Sequence, residues 1–156
     1  MNIETVKHWL NSRKRKRPAT GIILHASGGS SADGAISWLE KIGLSYHYII
    51  AKDGTVTKLV PTGRVAFHAG KSEGWGGPNC NEYTIGICLA NKDDGVDVYT
   101  KAQTNACADL IQELYKAIPT LRYISTHAAI APKRKVDPRG FIVGYVNGPL
   151  EMWRCR

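Results

Sequence analysis

Apolar residues recur along the chain with two different periods, and the periods predict most of the elements. Gly21-Ile22-Ile23-Leu24-His25 is a short apolar run stopped by Ala26-Ser27-Gly28-Gly29, the pattern of a buried strand whose last residue emerges into a loop. Asp33 to Ile42 carries Ile36, Leu39 and Ile42 at helical spacing and stops at Gly43, which predicts a short helix closed by a glycine cap. Tyr46 to Ala51 and Val56 to Val60 are strand-like and flank Lys52-Asp53-Gly54-Thr55, where Asp-Gly signals a hairpin. Tyr83 to Leu89 is too apolar for a strand with one wet face and is expected at the centre of a sheet. Thr100-Lys101-Ala102-Gln103 has the form of a capping box, and Ala102, Ala106, Leu110, Ile111, Leu114 and Ile118 supply one apolar helix face up to Pro119. Arg122 to Thr126 reads as a further strand that delivers His127 at its end. Strands and helices alternating around one sheet predict an α/β or α+β domain.

Composition narrows the class. With 156 residues, 43% of them hydrophobic and 22% charged, the chain is sized for one domain and has too much apolar content for a disordered one. No apolar stretch approaches the ~18–20 residues that span a bilayer, and Met1-Asn2-Ile3-Glu4-Thr5 lacks the apolar core of a secretory signal, so the protein is expected to be made in the cytoplasm. The formal charge is +8, and Arg13-Lys14-Arg15-Lys16-Arg17 carries five positive charges. Thr5 to Leu10 reads as a short helix, Pro18 ends any helix before it, and residues 1–18 are expected to form a basic N-terminal arm ahead of a domain at 19–156. Such an arm is either simply solvated or attracted to a polyanion. Asn11 to Gly21 offers no aromatic residue for base stacking, so nucleic acid is not the expected partner. Cys80, Cys88, Cys107 and Cys155 lack the paired short spacing of a structural zinc module, and Cys88 and Cys107 lie in apolar patterns as small buried residues do.

Two strands end in histidine, His25 and His127, and Asp137 follows ten residues after the second. Two imidazoles and one carboxylate meeting at adjacent strand ends would make a three-ligand zinc site with an open fourth position. Spacing alone leaves the alternative open, because five histidines give many pairs and a histidine at a strand end is commonly just a satisfied one. Between the elements, Ala69 to Asn81 holds Gly70, Gly74, Gly76 and Gly77 around Trp75, with no following helix pattern to support a phosphate cradle. That loop either borders a ligand groove or is pinned by a packed tryptophan.

Ile22-Ile23-Leu24-His25, Tyr46-His47-Tyr48-Ile49-Ile50, Phe67-His68-Ala69-Gly70, Asn81-Glu82-Tyr83-Thr84-Ile85-Gly86-Ile87 and Thr126-His127 followed by Ile130 to Pro138 together resemble the type-2 zinc N-acetylmuramoyl-L-alanine amidases, over roughly residues 20–140. The resemblance implies a central mixed β-sheet flanked by helices, with zinc (Zn2+) held by His25, His127 and Asp137, and residues 19–156 as the catalytic domain. It implies hydrolysis of the amide between the lactyl group of N-acetylmuramic acid and the L-alanine of the peptidoglycan stem. Lys135 resembles the family's oxyanion-stabilising lysine and Tyr46 its active-site tyrosine. His68 resembles a histidine beside the cleft, for substrate contact or proton transfer, with packing under the glycine loop as the alternative. Trp75 and Asn81 are expected to touch substrate as well. Where many bacterial members carry a strand glutamate in Gly-x-Glu-x-Glu, this chain has Gly86-Ile87-Cys88-Leu89-Ala90. His47 is expected to face the interior, opposite Tyr46 in the strand alternation.

The leading expectation is therefore a monomeric phage or prophage endolysin that reaches the cell wall after membrane permeabilisation. Arg13 to Arg17 would tether it to anionic envelope polymers. A non-catalytic peptidoglycan-binding module is the alternative, and a Cys/His peptidase built on Cys80 or Cys88 with His68 is a third, disfavoured by the apolar setting of Cys88.

Overall fold

Six consecutive buried residues, Gly21–Ala26, form the strand around which the rest of the chain is laid. The computed structural model describes residues 1–155. In chain order its elements are β1 (Ile3–Thr5), β2 (Ser12–Lys14), β3 (Gly21–Ala26), α1 (Ala32–Ile42), β4 (Tyr48–Ile50), β5 (Val56–Lys58), β6 (Arg64–Ala66), β7 (Glu73–Gly74), β8 (Gly77–Pro78), β9 (Thr84–Leu89), α2 (Lys101–Ala117), β10 (Tyr123–Thr126), the single turn α3 (His127–Ile130) and β11 (Glu151–Met152). The main sheet has seven strands in the order β1-β5-β4-β9-β3-β10-β11. Every pairing in it is parallel except β4 with β5, the hairpin expected from Asp53-Gly54. Gly54 turns at φ 87°, and an added Cβ would meet the Ala102 carbonyl oxygen at 2.9 Å, so the hairpin tip is both left-handed and pressed against the start of α2. Among the described residues, no helix is long and apolar enough to cross a membrane.

The two faces of the sheet differ, and the pleat decides which residues go where. Ile22, Leu24, Ile85, Ile87 and Leu89 point to one face and pack against Cys107, Leu110, Ile111 and Leu114 of α2. That helix begins with both bonds of the expected capping box, and buried Gln103 also donates from Nε2 to the Ile50 and Ala90 carbonyls at 3.2 and 2.9 Å. The opposite face carries His25 and, on β9, Thr84, Gly86 and Cys88, with α1 covering Ile49 and Cys88 through Leu39. Ser31 caps the start of α1, and Gly43, at φ 73°, closes it as the sequence predicts.

Residues 1–18 do not form a separate arm. Ile3–Thr5 extends the main sheet beside β5, and Ser12–Lys14 pairs antiparallel with β6. No helix spans Thr5 to Leu10; Leu10 is buried and its N–H donates to the Leu59 carbonyl. Available strand edges outcompete a one-turn helix that would stand alone. The basic run is consequently spent on internal contacts. Arg15 donates to the carbonyls of Thr62, Glu82, Arg64 and Thr84 at 2.9–3.1 Å. Arg13 pairs with Glu82, and the Arg17 guanidinium lies 4.6 Å over the Tyr83 ring. Burial, with the neighbouring Arg13 charge, lowers the Arg15 pKa to about 10, still far above neutrality. Lys14, Lys16 and Arg17 are the exposed cations of the run.

Arg15→Ala would remove its guanidinium from the Thr62, Glu82 and Thr84 carbonyls, while the Arg64 carbonyl keeps the His47 Nε2 donor at 2.8 Å. The substitution should cost about 2–4 kcal/mol in urea unfolding, against less than ~0.5 kcal/mol for Lys16→Ala.

Candidate metal centre

The register of two strands creates the centre. β10 runs parallel to β3 with Thr126 opposite Leu24, so the next residue on each strand, His127 and His25, meet side by side at the carboxyl ends. Their ring centroids are 4.5 Å apart, near the ordinary inter-strand spacing. Thr126 caps α3 by accepting the Ala129 N–H, which turns the chain just as His127 leaves the sheet. Asp137 is brought back by the Ala128 N–H donating to its carbonyl, and its Oδ2 accepts the Ala26 N–H at 3.3 Å.

The three side chains converge. His25 Nδ1 lies 3.1 Å from His127 Nδ1, and Asp137 Oδ2 lies 3.3 Å from His127 Nδ1 and 3.5 Å from His25 Nδ1. A tetrahedral zinc with bonds of 2.0–2.2 Å separates its ligand atoms by about 3.3–3.6 Å, so this triangle of donors fits the ion. Protonation fits as well. Burial, reinforced by His127, lowers the His25 pKa to about 4, which keeps the imidazole neutral near pH 7.

His127 and Asp137 line a cleft of about 460 Å³, with His25 fully buried beside them. Trp38, Ile42, Leu44 and Phe67 form an apolar wall on one side, with Lys135 and Val136 on the other. An adjoining lobe of about 430 Å³ shares Leu44, Phe67, His127 and Lys135 and extends toward Asn11 and Gly70. A larger groove of about 720 Å³, between α3 and the C-terminal residues, contains none of the three donors.

Tyr46 and Lys135, expected beside the metal, are there. The Tyr46 ring is 4.9 Å from His25; burial, with the Cys88 thiol beside its hydroxyl, pushes its pKa well above the ordinary phenol range. Lys135 lines both lobes, and its charge contributes to keeping His25 neutral. Tyr46 and His47 do not alternate across a strand as the pattern suggested. The strand begins only at Tyr48, and His47 is buried with its ring 5.9 Å from His68, accepting the Gly86 N–H at Nδ1.

The remaining expected substrate contacts are placed differently. Trp75 is not at the cleft: it packs against Tyr83, Tyr123 and Trp153 and donates to Thr20 Oγ1 at 2.9 Å. Gly21 makes room for it, because a Cβ there would sit 2.3 Å from the indole. Gly21 starts β3, about 13 Å along the strand from His25, so the tryptophan seals the opposite end of the sheet. Asn81 borders the second lobe, but its Oδ1 accepts the backbone N–H groups of His68 and Ala69 at 3.1 and 2.8 Å. His68 lines both lobes yet is largely buried beneath His25, with Nδ1 2.9 Å from His25 Nε2. Two participants escaped the sequence reading: Arg134, whose guanidinium donates to the Ala69 and Lys71 carbonyls, and Gly86, whose missing side chain leaves space for the His68 ring. A glycine inside an apolar strand is the signal that could have pointed to the latter.

A family model described as N-acetylmuramoyl-L-alanine amidase (Amidase_2) matches residues 15–140. The 1,6-anhydro-N-acetylmuramyl-L-alanine amidase AmpD of Escherichia coli is 36% identical over 96 residues, 61% of this chain and 51% of that protein. The chain thus spans about half the length of the curated relatives it matches in this way. Among solved structures, a selenomethionine AmpD derivative superposes with a TM-score of 0.78 at 24% identity, covering 96% of this chain and 94% of the other. The Ph2119 endolysin from the Thermus scotoductus MAT2119 bacteriophage superposes at 0.72 with 19% identity, covering 95% and 98%. Both share the fold of one domain with a central mixed sheet flanked by helices.

A Cβ on Gly86 would stand 2.6 Å from His68 Cγ, whereas one on Gly63 meets nothing within 4 Å. Gly86→Ala is expected to lose about 1–3 kcal/mol in urea unfolding through overpacking, with Gly63→Ala near wild type.

Proposed function

The chain belongs to the N-acetylmuramoyl-L-alanine amidase family, and we propose that it is a zinc-dependent hydrolase of the amide joining the lactyl group of N-acetylmuramic acid to L-alanine. The observation that carries this reading is the triangle of His25, His127 and Asp137 donor atoms, each pair 3.1–3.5 Å apart, with His127 and Asp137 lining the cleft. A peptidoglycan-binding module without catalysis would have no need of two imidazoles and a carboxylate converging at ligand distances beside the cleft. The catalytic unit takes in residues 1–18 together with 19–156, since β1 and β2 are part of the same body.

Zinc held there would supply Lewis acidity, which polarises a carbonyl and lowers the pKa of water from 15.7 to roughly 7. The chain supplies the rest. Lys135 faces the centre as a compact cation and stabilises the negative charge that develops on the carbonyl oxygen, a role worth about 10²–10³-fold in rate. Tyr46 keeps its proton on the hydroxyl oxygen across the neutral range, so it acts as a donor toward developing charge or the departing amine. Cys88 occupies the strand position of the glutamate found in many bacterial members. Burial pushes its thiol well above the ordinary range, so it serves as neither general base nor nucleophile. The apolar wall of Trp38, Ile42, Leu44 and Phe67 excludes water from one side of the cleft and offers a surface to the carbon face of a sugar or to alanyl methyls.

The same amide occurs in the wall polymer and in soluble anhydro-muropeptides, the substrate named for the 36%-identical relative. An endolysin acting on the wall after membrane permeabilisation is the finer form of the proposal, and it requires the polymer. Digestion of intact sacculi and of a soluble anhydro-muropeptide, with product mass mapping, separates the two. Either substrate should yield new L-alanine amino termini, and a chelator should stop the reaction; new reducing sugars instead would make the enzyme a glycosidase.

Asp137→Ala should lose stoichiometric zinc, and full zinc occupancy in that variant would remove the carboxylate from the ligand set. Lys135→Ala should retain zinc and turn over about 10²-fold more slowly, while an unchanged rate would remove the lysine from the reaction.

A further inference from the structure

Hydrogen bonds behind the centre determine which nitrogen of each histidine carries its proton. The Thr84 hydroxyl donates its hydrogen to the Cys80 carbonyl at 2.7 Å, so toward His68 it can only accept. His68 Nε2, 3.3 Å away, is therefore the N–H, which leaves His68 Nδ1 as an acceptor. His25 Nε2, 2.9 Å from that acceptor, must then be an N–H in turn, and His25 Nδ1 is left with a free lone pair. On the other strand, His127 Nε2 faces the Ala69 carbonyl at 3.1 Å. A carbonyl accepts and never donates, so His127 Nε2 is also the N–H and its Nδ1 is also a lone pair. The two lone pairs face each other at 3.1 Å beside the Asp137 carboxylate, an arrangement that calls for a cation.

Both acceptors behind the imidazoles come from consecutive residues: the side chain of His68 and the carbonyl of Ala69. One atom holds those residues in place, since Asn81 Oδ1 accepts both of their N–H groups. Arg134 occupies the second lone pair of the Ala69 carbonyl at 2.9 Å, and the Gly86 backbone leaves no Cβ to displace the His68 ring. We propose that His68-Ala69, clamped by Asn81, is an outer cradle that sets the tautomer and ring angle of both histidine ligands, making His68 and Asn81 positioning residues for the metal and not contacts for substrate. The inference rests on the zinc reading above and adds to it a role for residues that do not touch the ion.

The test is zinc affinity, measured on the purified full chain by competition with a fluorescent chelator. His68→Phe keeps a ring of similar size but removes the acceptor, and Asn81→Leu removes the clamp; each should weaken zinc binding by about 10–100-fold, the usual effect of losing an outer-shell partner. Asn81→Asp presents the same acceptor oxygen to both N–H groups, and His68→Asn places an amide oxygen near the lost Nδ1, so both should bind zinc close to wild type. The split between acceptor-retaining and acceptor-lacking pairs is the expected result, with thermal unfolding of the zinc-free chains reporting whether each variant folds. Should His68→Phe fail to fold, the Asn81 pair decides alone. Wild-type zinc affinity in His68→Phe and Asn81→Leu, combined with a raised KM for a muropeptide, would make these residues substrate contacts and overturn the cradle. Failure of the wild-type chain itself to bind zinc would overturn the zinc reading, a separate outcome from failure of the cradle alone.

Discussion

The in-register parallel pairing of β3 with β10 is the constraint on which the rest of this structure depends. With Thr126 opposite Leu24, the following residues fall opposite one another, so two imidazoles distant in sequence become neighbours at the strand ends. A slip of one residue would send His127 to the other face of the sheet, since side chains alternate with a period of two. The apolar face formed by Ile22, Leu24, Ile85, Ile87 and Leu89 against α2 makes such a slip costly, because it would bury polar residues under the helix. Packing on one side of the sheet therefore holds the chemistry on the other.

That chemical face is built from what it omits as well as what it carries. Between His25 and the start of β9 there is room for a second imidazole only because Gly86 contributes no side chain. Thr84, two residues earlier on the same face, ends the hydrogen-bond chain running from His25 through His68. On the far side of the centre, the Ala69 carbonyl faces His127 Nε2 and accepts a bond from Arg134, so the short segment after β6 contacts both histidines. Arg15, bound to the Glu82 and Thr84 carbonyls, ties the N-terminal strands into this region.

Where the sequence was legible, the signal was local or periodic. The glycine cap of α1, the capping box of α2 and the Asp-Gly hairpin are each stated by neighbouring residues and occur as expected. Where it misled, the deciding contact came from elsewhere in the chain. Thr5 to Leu10 satisfies helical spacing, yet the strands that flank it, β1 and β2, pair with β5 and β6 and leave it an irregular connection. Trp75 sits in a glycine-rich loop that could border a groove, but Gly21 opens a slot for it at the far end of β3. His47 follows Tyr46 without alternation because regular strand geometry starts one residue later.

The amino-acid sequence by itself determined the alternation of strands and helices, the strand ends that deliver His25 and His127, and the residue types able to hold a metal. Those properties follow from short-range sterics, hydrophobic period and donor chemistry. The tertiary structure alone decided that His68 stacks behind His25, that Asn81 bonds the His68 and Ala69 backbone and that Arg15 is turned inward. Each of these depends on which carbonyl or ring lies within hydrogen-bond reach, and that distance exists only once strands remote in sequence have paired in one register.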